Sequence, residues 1–317
     1  MDKLTHSLVG ALLGQLGLKR KTALAMPTLI IAANIPDIDA VAVLLGGNEH
    51  LAIRRGITHG PIALVILPIL LWAAMLAWAR WRPNPNRAAV HSGWLLALAY
   101  IGTISHPALD WLNSYGIRLL EPFSSAWFAG DTIFIVDVWI WAALALSVWL
   151  SLRNERAEIS GSSRPAWLGF AAICAYIAAN GLITGHAESA TKGLVIVRDD
   201  GVAPSSDPVV VANPVPFFFW RRELLWRDAV HYGDGAYTLG SPPNLSTEAR
   251  PHNMSDPRIA AFTGKDDSAR AFLFWSRMPI AKFETKDGIE TLTIHDQRFA
   301  HPLARDRFMV RLQRDLE

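Results

Sequence analysis

Cysteine is almost missing from this sequence, and charge is scarce. The single thiol, Cys174, stands in an apolar run, so the chain offers neither a disulfide framework nor a thiolate-based zinc site. Charged residues make up 18% of the chain against 51% hydrophobic residues, and the net charge is only +2. With no long basic block, this composition points away from a nucleic-acid partner. The charged, apolar and cleavage regions of a secretory leader are also missing from the start, so membrane entry is expected to be driven by internal segments. No repeat or low-complexity segment is evident.

Long apolar runs are plentiful. Four of them, residues 61–79, 93–111, 133–152 and 165–185, are long enough to cross a bilayer of roughly 30 Å, which takes about 20 helical residues. Residues 4–18 and 23–45 predict a helical hairpin, half-inserted, with Lys19, Arg20 and Lys21 at its bend and a turn at 34–39. After about residue 186 the chain becomes an ordinary polar sequence. There "FETKDGIETLTI" (283–294) predicts a hairpin around Asp287-Gly288, a dipeptide suited to a type I′ turn. The stretches "GLVIVRDDGV" (193–202) and "DPVVVANP" (207–214) predict further strands, and the aromatics Phe217–Phe219 suit a β-domain core, a cover over the mouth of the site or a surface lying on lipid. The expected fold is an α-helical polytopic membrane protein. It has about four clear spans plus the N-terminal hairpin (residues 1–186) and a C-terminal β-rich soluble domain (187–317).

Arginine sets the expected orientation. Arg80, Arg82 and Arg87 follow the first clear span, and Arg153, Arg156 and Arg164 follow the third; Arg54, Arg55 and Arg118 lie on the opposite face. The first two loops are therefore cytoplasmic, and residues 187–317 lie outside. This topology gathers His6, Asp37, Asp39, His59, His106, Asp110, Asp131 and Asp137 in one layer on the non-cytoplasmic side. Ionisable groups at membrane depth carry a functional expectation by default. Imidazole with carboxylate suits a divalent cation, zinc foremost, with manganese or iron also compatible. His106 and Asp110 are four apart, on one helical face, with Pro107 between them to loosen the helix and aim the ligand. Each group has a plainer reading as well. Asp131 suits a helix N-cap, as do Asp37 and Asp39 individually; Asp137 lies among Ile, Val and Trp, where an unpaired charge is costly.

The stretches "MDKLTHSLVG", "NIPDID", "RRGITHG", "SHPALDWLNSYG" with "LLEPFS", and "GDTIFIVD" occur in order along residues 1–140. Together they resemble a bacterial and archaeal family of membrane-bound, metal-dependent hydrolases, long carried as a domain of unknown function. The resemblance implies a metal site of His6, Asp37, His59, His106, Asp110 and Asp137. The family often has His-Arg-Gly where this chain has Arg54-Arg55-Gly56. The spaced His106/Asp110 pair also gives a distant analogy to zinc-dependent phospholipase C.

The reading that follows is a multi-pass protein of the bacterial inner membrane that hydrolyses a phosphoester or ester of a lipid or lipid-linked, amphiphilic substrate. A cation would polarise the scissile oxygen and acidify water, and Asp39 or Asp131 would act as general base. An ion or solute transporter with carboxylates at a broken helix, or a metal-stabilised scaffold or sensor without turnover, are the competing classes. Oligomeric state is not legible.

Overall fold

The computed structural model describes residues 1–84, 88–196, 207–300 and 305–315. The chain divides into two compact units, one formed by Met1–Asp39 and Arg55–Gly181, the other by Ala40–Arg54 and Leu182–Glu317. Helices are numbered along the chain as α1 (Lys3–Gln15), α2 (Ala25–Ala32), α3 (Glu49–Ile53), α4 (Pro61–Trp81), α5 (Ser92–Trp111), α6 (Val138–Arg156), α7 (Arg164–Ile196), α8 (Arg258–Thr263) and α9 (Asp267–Trp275). The strands are β1 (Val209–Pro214), β2 (Arg221–Arg227), β3 (His231–Thr238), β4 (Asn244–Leu245), β5 (Arg250–Pro251), β6 (Pro279–Lys286), β7 (Ile289–Asp296) and β8 (Met309–Asp315).

In the first unit, α1 and α2 form the expected N-terminal hairpin. Asp2 caps α1 by accepting from the Leu4 and Thr5 N–H groups, which satisfies two donors that have no partner inside the helix. Two glycines set how closely the helices pack on α2. A Cβ on Gly10 would lie 2.8 Å from Ile30 Cα, and one on Gly102 would lie 2.9 Å from the Leu29 carbonyl oxygen and 2.6 Å from Ala32 Cβ. Only residues without side chains let backbones approach this far. One helical turn from each glycine stands a histidine, His6 on α1 and His106 on α5, so this packing delivers both imidazoles to the end of α2.

Hydrophobic clusters fill the space around this arrangement: Ala32, Leu71, Met75, Leu95 and Ala99 join α2, α4 and α5, while Leu12, Ile140, Leu144, Ala166 and Ile173 join α1, α6 and α7. Meanwhile Val65, Ile66, Ile69 and Leu70 of α4 are exposed, the pattern of a helix that faces lipid rather than water.

Among the described residues, two helices are long and apolar enough to span a membrane, Pro61–Trp81 and Arg164–Val195. The pair Ala25–Ala32 and Ile35–Leu45, bent by 41°, counts as a third if it is one broken span. The expectation of four clear spans is therefore corrected. The 93–111 run is helical as α5, but Thr103, Ser105, His106 and Asp110 dilute its apolar character. The 133–152 run is not one helix: residues up to Asp137 are irregular, α6 starts at Val138, and its last turns carry Arg153, Glu155 and Arg156. Arg87, one of the arginines used for orientation, lies outside the described residues.

In the second unit, an antiparallel sheet runs β1-β2-β3-β4 with β5 also paired to β3, and a second one runs β6-β7-β8. The β6–β7 hairpin turns at Asp287 (φ 51°) and Gly288 (φ 78°), both left-handed as a type I′ turn requires. β1 is buried on both faces, Ala212 with Ile183 and Ala187 of α7, Val211 with Met278. The strand expected over 193–202 is corrected at its start, where residues to Ile196 close α7; from residue 197 it lies outside the described residues. Phe217–Phe219 are neither strand nor core but form the turn between β1 and β2.

Candidate metal centre

Four side chains from three segments of the first unit converge. Asp37 comes from the 3₁₀ segment Ile35–Leu45 that follows α2, His59 ends a 3₁₀ turn (Ile57–His59) just before α4, and His106 and Asp110 lie one turn apart near the end of α5. All four are buried, and one donor atom from each lies within 4.8 Å of all the others. His106 Nε2 is 3.8 Å from Asp37 Oδ1 and 3.5 Å from Asp110 Oδ2; His59 Nε2 is 3.7 Å from that same Asp110 oxygen.

The ring orientations follow from the far nitrogens. His106 Nδ1 lies 2.7 Å from the Ala33 carbonyl oxygen, which can only accept, so Nδ1 carries the hydrogen and the Nε2 lone pair faces the centre. His59 Nδ1 lies 2.9 Å from Thr58 Oγ1, whose own hydroxyl donates to Asp39 Oδ2 at 2.9 Å. Thr58 thus accepts from His59 and passes a hydrogen bond to Asp39, which also lies 3.4 Å from the His59 ring nitrogen. Burial pushes the His59 imidazole below its ordinary value, against the upward pull of Asp39, and the neutral ring is the form that ligates metals.

Arg55 braces the centre from the other side. Its backbone is left-handed (φ 54°), a conformation few non-glycine residues hold. Its N–H donates to Asp39 Oδ2 at 2.7 Å. The guanidinium grips Asp110 with Nε 2.9 Å from Oδ2 and Nη2 3.1 Å from Oδ1, and Nη1 donates to Asn113 Oδ1 at 2.9 Å. The Tyr115 ring stacks 4.7 Å from its charge. The Met1 backbone nitrogen also contacts Asp110. His6 stacks on His106 with ring centroids 3.7 Å apart, and its Nε2 is 3.3 Å from Asp110 Oδ1.

This is a coherent donor set for a cation. The Nε2 atoms of His6, His59 and His106 are buried and make no hydrogen bond among the described residues, and those of His59 and His106 face the Asp110 oxygen that Arg55 also approaches. Buried polar atoms rarely remain so, and here several acceptors point at each other, an arrangement that a positive ion between them resolves. The group can therefore hold a metal ion.

The structure places the remaining nominated residues differently. Asp39 is buried beside the centre, engaged by Thr58 and Arg55. Asp131 is buried with a left-handed backbone (φ 46°). No helix starts there, so the N-cap alternative falls away. Its loop is tied to the end of α5, with Gly130 N–H donating to Trp111 O at 2.6 Å and Thr132 N–H to Leu112 O at 2.8 Å. Asp137 is the N-cap of α6: Oδ1 accepts from Trp139 and Ile140 N–H, and Oδ2 accepts from Tyr176 Oη at 2.9 Å. Arg55, Thr58 and Asn113 went unrecognised in the sequence as parts of the centre. Their positions were a usable signal, since two lie within "RRGITHG" and Asn113 is one turn after Asp110.

The family model described as YdjM inner membrane protein matches residues 1–187. Searches of curated proteins and of solved structures find no match.

Proposed function

The chain belongs to the YdjM inner membrane protein family, and from this premise and the buried centre we propose a membrane-bound, metal-dependent hydrolase. Its substrate class is a phosphoester or ester of a lipid or lipid-linked amphiphile. The single observation that carries the reading is the convergence of Asp37, His59, His106 and Asp110, with imidazole Nε2 atoms left without hydrogen-bond partners. A divalent cation, zinc foremost, would supply Lewis acidity there, polarising a substrate oxygen and acidifying water.

The chain's own residues divide the rest of the work. Asp37, His59, His106 and Asp110 would hold the cation, with His6 stacked on His106 beside them. Asp39, through Thr58, orients His59, its Oδ2 accepting from the Thr58 hydroxyl and the Arg55 N–H. Arg55 fixes the Asp110 carboxylate. Asp131, tied to the turn after Asp110, is the carboxylate proposed to accept a proton from water. Substrate reaches the site from the bilayer, on the non-cytoplasmic side by the arginine bias. A metal at headgroup level meets amphiphiles first, which supports this substrate class.

The test is metal analysis of detergent-purified protein, with turnover of a panel of phosphodiesters and esters. The wild type should hold zinc, manganese or iron. His106→Ala with Asp110→Ala should lose it while still inserting, and Asp131→Asn should keep the metal and lose turnover. Full occupancy in the double variant overturns the site. A second reading, ion transport, draws on the 41° break that carries Asp37 and Asp39, since discontinuous helices also build ion sites in transporters. Metal-dependent uptake into vesicles without hydrolysis of any panel substrate would favour it.

A further inference from the structure

The β1–β2 turn, "VPFFFW" at 215–220, is built inside out. Phe217 is 62% exposed, Phe218 43%, and Leu239 54%. Leu239 belongs to the same end of the sheet, because its N–H donates to Trp220 O at 2.9 Å. Phe217 also holds a left-handed backbone (φ 66°), disfavoured for a bulky side chain. The Trp220 ring meets both Phe218 (5.5 Å) and Phe219 (5.1 Å) edge-on, and the exposed Arg221 guanidinium stands 5.5 Å from the Phe218 ring. A strained turn that presents phenylalanines outward, next to a cation, has the chemistry of a bilayer interface, where aromatic rings sit at headgroup level and arginine meets phosphate.

The direction of the turn identifies what it meets. Within the second unit, Lys192 of α7 pairs with Asp207 at 2.8 Å, Glu188 accepts from Ala212 N–H at 3.3 Å, and Thr184 accepts from Arg222 Nε at 2.9 Å. Arg222 is the register partner of Pro214, the last residue of β1. From Asp207 to its tip, β1 therefore descends α7 from Lys192 back to Thr184, about 12 Å along the helix axis at 1.5 Å per residue. That descent runs towards the uncharged stretch 165–185 of a candidate membrane span. Glu188 and Lys192 are the first charges after that stretch, and Pro214, through its partner Arg222, stands level with Thr184 at the stretch's end.

We propose that residues 215–220, with Leu239, form a membrane-interface anchor of the β-rich unit. Phe217, Phe218 and Leu239 enter the acyl boundary of the leaflet from which α7 emerges, and Arg221 contacts lipid phosphates. The proposal does not depend on the metal centre. It is tested on the full chain with Cys174→Ala, carrying an environment-sensitive fluorophore at Phe217→Cys, at Leu239→Cys, or at Lys286→Cys in the β6–β7 hairpin as reference. The protein is reconstituted into phosphatidylethanolamine–phosphatidylglycerol vesicles, with or without doxyl-labelled lipid. Labels at 217 and 239 should be quenched by the doxyl lipid roughly threefold or more above the label at 286, as insertion by about 5–10 Å requires. They should also be shielded from aqueous iodide. Iodide quenching at 217 and 239 equal to that at 286 overturns the anchor. So does shielding from both quenchers, which would mean that a second copy or another protein surface covers the turn. The Leu239→Cys protein answers the question if Phe217→Cys does not fold.

Discussion

Asp39 and Thr58 show how much of a metal centre lies behind its donors. The Thr58 hydroxyl receives the His59 Nδ1 hydrogen and donates its own to Asp39, so a ligand's tautomer depends on a carboxylate that need not touch the cation. Removing such an outer partner typically weakens metal affinity about 10–100-fold. Asp39→Asn is expected to fall in that range, with His59→Ala falling further. Competition titration against a chromophoric chelator measures both, and unchanged affinity in a folded Asp39→Asn protein would return Asp39 to the role of simple turn cap. The histidines and aspartates of the centre were legible because charge and imidazole stand out in an apolar chain. Arg55 and Thr58 stand in the sequence only as an orienting charge and as members of the "RRGITHG" motif: an arginine beside a membrane span has many uses, and a threonine gives no signal until its hydrogen-bond partners are placed.

At the level of elements, the same apolar background that exposed the site hid where helices begin. Residues 133–152 read as one span because hydropathy does not distinguish an irregular buried segment from a helix. In the structure Asp137 marks the true start, capping Trp139 and Ile140 and receiving the Tyr176 hydroxyl. The resemblance assigns this aspartate to the metal; the geometry gives it a local partner for each oxygen. Loss of an N-cap side chain costs about 1 kcal/mol, and the lost hydroxyl bond adds roughly 1 kcal/mol. Asp137→Ala should therefore lower unfolding stability by about 2 kcal/mol while leaving metal stoichiometry unchanged. A stable variant with depleted metal would restore Asp137 as a donor. Helix packing, by contrast, was written in small residues: Gly10 and Gly102, each one turn from a histidine, bring His6 and His106 together over α2. That correspondence was open to a reader of the sequence, but only once α2 was known to lie between the other two helices.

For the whole molecule, the two units respond to different perturbations. The first should depend on its cation, because binding to the folded state alone adds about 4 kcal/mol when free metal is 1,000 times the dissociation constant. The second holds its own buried ion pair. Burial alone would raise the Asp296 carboxyl, but the Arg298 guanidinium at 2.8 Å, the Ser276 hydroxyl and the Arg298 N–H outweigh it and hold the group below its ordinary value. The sign of the linkage follows. A carboxyl depressed in the folded state contributes stability that is complete above its unfolded value, about 3.9, and that is lost as pH falls through and below it. Chelation at pH 7 should accelerate hydrogen exchange in residues 1–39 and 55–181 and leave 207–300 unchanged. Acidification below about pH 4 should open 207–300 whether or not chelator is present. Mass-resolved hydrogen exchange on protein in lipid nanodiscs reads both regions in one sample. Equal acceleration of both units by chelator would mean that the cation stabilises the chain as one cooperative block, and acid resistance of 207–300 would remove the Asp296–Arg298 pair from the account of its stability.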